Sequence, residues 1–248
     1  MIKNSNGNNF SVLKNITDCH THILPSIDDG PSDADVSRQM IDSLLLQGAA
    51  AAILTPHFYP HETNINDFLF LRNESYKILT ENLKTDLKLI LGSEAFFCIN
   101  FEHFDNIGSL CIEGTDLILF EIPFPDSMTA KILKQVEKFL SMHNYTPIIA
   151  HIDRYPFFNT KNIHILHEFI DMGCLLQMGT APLKEKGTAK FAVNLVKEGL
   201  ISFIGSDCHN IKYRTPDIAD AYKVLTDKFG ISETQKFIDN SNRILGVS

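Results

Sequence analysis

The chain has 248 residues, 44% of them hydrophobic and 21% charged, with a formal net charge of −8. That length suits one large core or two small ones, and the ordinary apolar fraction excludes a disordered or fibrous chain. The acidic balance argues against binding nucleic acid, and no apolar run approaches the roughly 18 residues of a membrane span, so no membrane insertion is expected.

Residues 1–17 are polar and Asn-rich, lack the apolar stretch of a signal peptide, and read as an N-terminal extension ahead of a single domain over 18–248. From there short runs rich in Ile, Leu and Val alternate with amphipathic stretches. A strand over 16–22 leads to a helix over 32–47, with Val36, Met40, Ile41, Leu44 and Leu45 on one face and Gly48 as its stop. A strand over 50–55, a helix over 66–83 and strands over 87–94 and 117–122 follow. Next come a helix over 127–143, a strand over 147–151, a helix over 161–172, a strand over 174–178, a helix over 186–198 and a strand over 201–206. Two helices, over 218–229 and 232–240, complete the pattern. Alternation of this kind predicts an α/β fold on a parallel sheet, either a relative of the eightfold barrel or an open doubly wound sheet.

The strand ends carry the chemistry. The first strand runs into Asp18-Cys19-His20-Thr21-His22, the second into Thr55-Pro56-His57, the third into Gly92-Ser93-Glu94, and the fourth into Phe120-Glu121. The fifth ends at Ala150-His151, with Arg154 three residues on, and the seventh at Ser206-Asp207-Cys208-His209. Only the sixth, near Gln177, lacks an obvious ligand. His20 and His22 are two apart in extended chain and point to one side, as do Asp207 and His209. A single His at a strand end is usually a hydrogen-bonded structural residue, but six ends agreeing in register form a divalent-metal ligand set. The candidates are too many for one ion, and a carboxylate such as Glu94 can bridge two. The turn Ile27-Asp28-Asp29-Gly30-Pro31 faces the same end and offers a further acid, or is a common solvated turn. Arg154 and Arg214 lie on loops leaving ligand-bearing strands, where a guanidinium can bind phosphate bidentately. His61, His103, His143, His164 and His167 fall in loops or helices, away from this pattern.

These residues resemble the polymerase-and-histidinol-phosphatase (PHP) superfamily, and within it the bacterial capsule-locus tyrosine phosphatases of the CpsB/YwqE-like group. The resemblance covers the chain from about Asp18 onward. It implies a distorted (β/α)7 TIM-like barrel with a three-metal centre. One ion would be held by His20, His22, Glu94 and Asp207, a second by Glu94, Glu121 and His151, and a third by His57, His209 and Asp29 or its neighbour Asp28. Arg154 and Arg214 would hold the substrate phosphate, and Asp18 would orient a ligand His. Manganese is the usual assignment in the family; mixed His and carboxylate donors also suit iron and zinc. The implied activity is hydrolysis of phosphotyrosine on protein. The implied partner is the tail of a bacterial tyrosine kinase that controls capsule or exopolysaccharide synthesis. The chain departs from the family at Asp153, where Glu often precedes the Arg.

Competing readings remain at this point. A PHP-type enzyme can instead act on a small phosphate monoester such as histidinol phosphate. An amidohydrolase is disfavoured by Glu121, where those enzymes often carry a bridging carbamylated Lys. The set can also be a non-catalytic metal-binding module. Cys208 to Thr215 satisfies C-x5-R-[ST], the signature of cysteine-dependent tyrosine phosphatases, yet its five intervening residues contain no Gly to let the backbone wrap a phosphate. Five scattered cysteines fit reduced thiols and a cytoplasmic location. The oligomeric state is open.

Overall fold

The structure, a computed structural model, describes residues 13–123 and 129–247. Residues 1–12 of the expected extension and the first two residues of the helix expected over 127–143 lie outside the described residues.

Strand β1 (Ile16–Thr21) is followed by helix α1 (Ala34–Leu46). The helix starts inside its expected range because Asp33 becomes its cap. The Asp33 carboxylate accepts from the N–H groups of Asp35 and Val36, both at 3.0 Å, and so satisfies two donors that the first turn leaves open. Ser37, Met40, Ile41 and Leu44 then bury one face. Gly48, at φ 85°, takes the left-handed conformation that ends the helix and turns the chain into β2 (Ala49–Leu54). The remaining elements are β3 (His57–Phe58), α2 (Ile65–Thr80), β4 (Lys88–Leu91), β5 (Glu94–Phe96), β6 (Leu117–Glu121), α3 (Thr129–Met142), β7 (Thr146–Ile149), α4 (Ile163–Asp171), β8 (Leu175–Gly179), α5 (Ala181–Lys184), α6 (Ala189–Lys197), β9 (Phe203–Gly205), α7 (Ile218–Phe229) and α8 (Ile231–Ile244).

Every strand pair is parallel, in the orders β1-β2-β4 and β3-β5-β6-β7-β8-β9. Among the described residues there are nine strand segments where seven strands are expected: the strand expected over 87–94 divides into β4 and β5, and β3 adds two residues beyond the strand expected over 50–55. β2 and β3 are separated by Thr55-Pro56, and proline has no N–H to give a ladder. β4 and β5 are separated at Gly92-Ser93, where the buried Arg72 guanidinium takes the Gly92 carbonyl at 2.9 Å and the Ser93 hydroxyl donates to the Leu110 carbonyl at 2.6 Å. The short helix α5, which starts around Pro182, has no counterpart among the expected elements.

The sheet curls, and its last strand returns toward its first. The Asp207 N–H donates to the His20 carbonyl at 2.8 Å and the His22 N–H to the Cys208 carbonyl at 2.9 Å, with a parallel bridge between Thr21 and Cys208. Gly205 makes this approach possible, since a Cβ there would lie 2.6 Å from the His20 Cβ. The two faces bury different clusters, as the twofold alternation of a strand requires. Ala52, Leu54, Ile118 and Phe120 join the larger core together with residues of the surrounding helices, such as Met40 and Phe139. Ile53, Leu117, Leu119, Ile148 and Phe203 form a smaller core on the concave face. Glu121 continues the Leu117–Leu119 alternation, so it stands on that concave face, beyond the apolar residues at the C-terminal ends of the strands. No helix among the described residues is long and apolar enough to cross a membrane.

Candidate metal centre

All nine donors expected from the strand ends and from the turn at Asp29 meet at one place. Three groups of donor atoms lie within 4.8 Å of one another: His20, His22, Glu94 and Asp207; His22, Asp29, His57 and His209; and His57, Glu94 and Glu121. His151 closes the third group, with Nε2 2.7 Å from Glu94 Oε1 and 3.8 Å from Glu121 Oε1. Glu94 lies at the centre, its Oε2 3.1 Å from each of His20 Nε2, His22 Nε2 and His57 Nδ1. The groups overlap more than the resemblance implies: His22 belongs to two of them, and so does His57. His151 and Asp207, at the ends of β7 and β9, adopt left-handed backbone at φ 30° and 53°, a conformation unusual outside glycine and common at functional sites.

The adjacent acids of the Asp28-Asp29 turn divide their work. Asp29 Oδ1 lies 3.0 Å from His209 Nε2 and 3.6 Å from His57 Nε2, among the donors. Asp28 sits behind them and accepts from His22 Nδ1 at 2.7 Å, from the His57 N–H at 3.1 Å and from the Gly30 N–H at 2.9 Å. Gln177, without a role in the sequence reading, does the same for the other histidine. Its Oε1 accepts from His20 Nδ1 at 3.1 Å and from the His151 N–H at 2.6 Å. With Nδ1 engaged by Gln177 or Asp28, His20 and His22 each turn Nε2 into the cluster, aimed at the place where an ion would displace its proton, which is how second partners orient ligating imidazoles. A Gln inside an apolar strand that lies between two ligand-bearing strands was the available signal.

Asp18 corrects an expectation. It touches no ligand ring: its Oδ1 accepts from the Ser206 N–H at 2.8 Å and from the His20 backbone N–H at 3.4 Å. It therefore ties β1 to the end of β9 through backbone, and burial pushes its carboxyl up to about 7.

The donor chemistry fits divalent ions. Glu94 Oε2, Asp207 Oδ1, His57 Nδ1 and His209 Nε2 are buried and, for all their close neighbours, make no well-directed hydrogen bond among the described residues, a costly arrangement unless a cation completes it. Burial, and next the charge of His22, push the His57 and His209 imidazoles down to about 4, so both are neutral, ligand-ready bases near pH 7. Burial opposes ionisation of Glu94 and Asp207, but His20 and His22 hold both carboxyls well below the ordinary range. We expect Gln177→Leu and Asp28→Asn each to weaken metal affinity about 10- to 100-fold, as loss of an orienting partner does elsewhere. Competition titration against a chelating indicator checks this, and unchanged affinity would remove the orienting role.

Both expected arginines reach the cluster. Arg154 Nη2 and Arg214 Nη2 donate to the same atom, Asp207 Oδ2, the latter at 2.7 Å, and Arg214 Nη1 lies 3.6 Å from Asp29 Oδ2. Both side chains stay partly exposed at the rim. Tyr59 stacks on His57 at the rim, with ring centroids 5.0 Å apart. Asp153, next to Arg154, accepts from the Gly179 N–H at 2.6 Å and so fixes the loop to β8. Of the other histidines, His143 is engaged by the Glu102 carbonyl at 2.7 Å, His164 and His167 belong to α4, and none joins a donor group.

The cysteine signature has no matching geometry. Cys208 is fully buried, and burial pushes its thiol well above the ordinary range. The amides a phosphate cradle would need are consumed: Asn210 Oδ1 accepts from the N–H groups of Lys212, Tyr213 and Arg214 at 2.9, 2.7 and 3.3 Å. Cys208→Ser is expected to keep turnover within about twofold of wild type, and a loss beyond 100-fold in a folded variant would restore the thiolate reading.

Imidazoles and carboxylates gathered at the C-terminal ends of a curled parallel sheet define a parallel α/β protein with a candidate multi-donor metal site at the mouth of its sheet. The chain belongs to the capsular polysaccharide synthesis CpsB/CapC family, whose sequence profile matches residues 16–246. It is 27% identical to tyrosine-protein phosphatase CpsB of Streptococcus agalactiae serotype V, over 92% of this chain and 97% of that one. It is 28% identical to tyrosine-protein phosphatase YwqE of Bacillus subtilis strain 168, over 92% and 91% of the two chains. Among solved structures it matches a chain from the crystal structures of YwqE from Bacillus subtilis and CpsB from Streptococcus pneumoniae, described as unique metal-dependent tyrosine phosphatases. The TM-score is 0.73 at 27% identity, covering 94% of this chain and 95% of that one. The phosphotriesterase homology protein of Escherichia coli, at 12% identity and TM-score 0.55, shares the fold.

Proposed function

We propose that this protein is a metal-dependent protein-tyrosine phosphatase acting in the cytoplasm on the phosphotyrosine tail of a bacterial tyrosine kinase that controls capsule or exopolysaccharide synthesis. The three overlapping donor groups would hold three divalent ions per chain, manganese first among them. The observation that carries this reading is the central Glu94 carboxylate, shared among imidazoles from β1, β3 and the end of β7, with two guanidiniums converging beside it on Asp207. The names of the CpsB and YwqE relatives support the substrate class.

Divalent ions held there supply Lewis acidity toward a phosphoryl oxygen and make a water acidic enough to ionise near neutral pH. The chain's own residues do the rest. Gln177 and Asp28 hold His20 and His22 in the ligating tautomer. Arg154 and Arg214 present guanidinium N–H groups at the rim, where they bind phosphoryl oxygens and neutralise charge that grows during transfer. Asp207 holds both guanidiniums in place before substrate arrives. The leaving phenolate corresponds to an acid of pKa about 10, so the chain needs little additional proton donation. A net charge of −8 does not prevent binding of an anionic phosphopeptide, because the rim offers a local positive site.

The test is turnover of a phosphotyrosine peptide beside histidinol phosphate, with several ions added after chelation. Hydrolysis of the peptide that is lost with chelator and restored by an ion is expected. Preference for histidinol phosphate would reassign the substrate, and an active metal-free protein would overturn the reading.

A further inference from the structure

The strands that supply His57 and Glu94 do not stop at the donor layer. His57 on β3 is paired with Glu94 on β5, and Phe96 on β5 with Glu121 on β6. Paired residues of parallel strands share a face, and so do residues two apart. Phe96 therefore stands one step beyond Glu94 on the same face, beside Glu121. Tyr59 stands one step beyond His57 and next to Phe96. The rings bear this out: Tyr59 stacks on His57 at 5.0 Å and 22°, and meets Phe96 at 5.9 Å. His61 extends the row, 5.6 Å from Tyr59 and 6.2 Å edge-on to Phe96. Tyr59 and Phe96 are half-buried and His61 is exposed, so a ring surface faces the mouth directly above the donors. Arg154 and Arg214 lie on the loops that leave β7 and β9 and meet the same cluster at Asp207.

We infer that Tyr59 and Phe96, flanked by His61, form an aryl-binding wall that receives the phenyl ring of the substrate while the guanidiniums receive its phosphoryl group. Offset or edge contact with a third ring suits this layer, because aromatic faces and edges attract one another. An alkyl phosphate such as phosphoserine leaves the wall without a partner. The inference rests on the phosphotyrosine reading above and adds the residues that select aryl over alkyl esters.

Two measurements test it on metal-loaded, full-length protein. The first is the ratio of kcat/KM for a phosphotyrosine peptide to that for the same peptide with phosphoserine. The second is calorimetric affinity for phenylphosphonate relative to methylphosphonate. Tyr59→Ala and Phe96→Ala are each expected to lower both preferences about threefold to tenfold, the range for one aromatic contact, and Tyr59→Phe to retain them. Metal content is measured alongside, since Tyr59 also stacks on His57. If Tyr59→Ala loses metal, Phe96→Ala decides. Unchanged preferences in Phe96→Ala, with phosphotyrosine turnover intact in wild type, overturn the aryl wall and leave the phosphatase reading standing. Absent phosphotyrosine turnover in wild type, with a phenylphosphonate preference that still falls in the variants, overturns the phosphatase reading and leaves the wall.

Discussion

Glu94→Gln is expected to lower phosphotyrosine turnover about a thousandfold or more and to reduce the metal bound per chain. Glutamine keeps the shape of the side chain but removes the charge placed 3.1 Å from His20 Nε2, His22 Nε2 and His57 Nδ1. It also replaces an acceptor with an NH2 group on one arm, setting N–H hydrogens where the imidazole nitrogens converge on the carboxylate. Metal catalysis supplies several kcal/mol of transition-state stabilisation, and about 4 kcal/mol is a thousandfold in rate. Because Glu94 belongs to two of the donor groups, one substitution is expected to disturb both. Steady-state turnover and elemental analysis of the same preparation check both arms. Wild-type metal content with wild-type turnover would show that Glu94 is a structural acid in a hydrogen-bonded cluster.

Arg154→Met and Arg214→Met are each expected to cost about a hundredfold in turnover, in line with the loss of one preorganised donor to a transferring group. Metal content is expected to hold, because neither guanidinium is a donor to an ion. Both end on Asp207 Oδ2, so removing one leaves Asp207 with its remaining partners, His20 and His22 among them. Lysine at either position is expected to recover only part of the loss, since a point charge does not reproduce a planar fork. The distinguishing result is a fall in turnover at constant metal stoichiometry. Parallel loss of both would place the arginines in holding the fold of the cluster instead.

The sequence made the donors legible for a reason that is local. In a parallel α/β sheet the C-terminal strand ends face one mouth, so His20, His22, His57, Glu94, Glu121, His151, Asp207 and His209 can be collected by marking where each apolar run stops. The same logic reads the concave face, where Glu121 follows Leu117 and Leu119. It fails where spacing carries no direction. Asp28 and Asp29 are adjacent in a turn, and only the packed turn puts Asp29 among the donors and Asp28 behind His22. Gln177 carries no charge and matched no ligand pattern, yet it touches both His20 and His151 across 157 and 26 residues of chain. Asp18 looked like an orienting acid beside His20 and proved to be a tie to the Ser206 backbone.

Sequence alone determined the alternation that makes a parallel sheet, the family, and which side chains arrive at its mouth. These follow from periods of two and 3.6 residues and from residue types that water and metals treat differently. Tertiary structure decided how the donors divide into overlapping groups, which of two neighbouring acids belongs to them, what holds each imidazole in its ligating tautomer, and where the rings of Tyr59 and Phe96 stand. Those depend on strands separated by up to about 190 residues coming within a few ångströms, as β1 and β9 do at Asp18 and Ser206, 188 positions apart. Distances of that kind have no signature in local spacing.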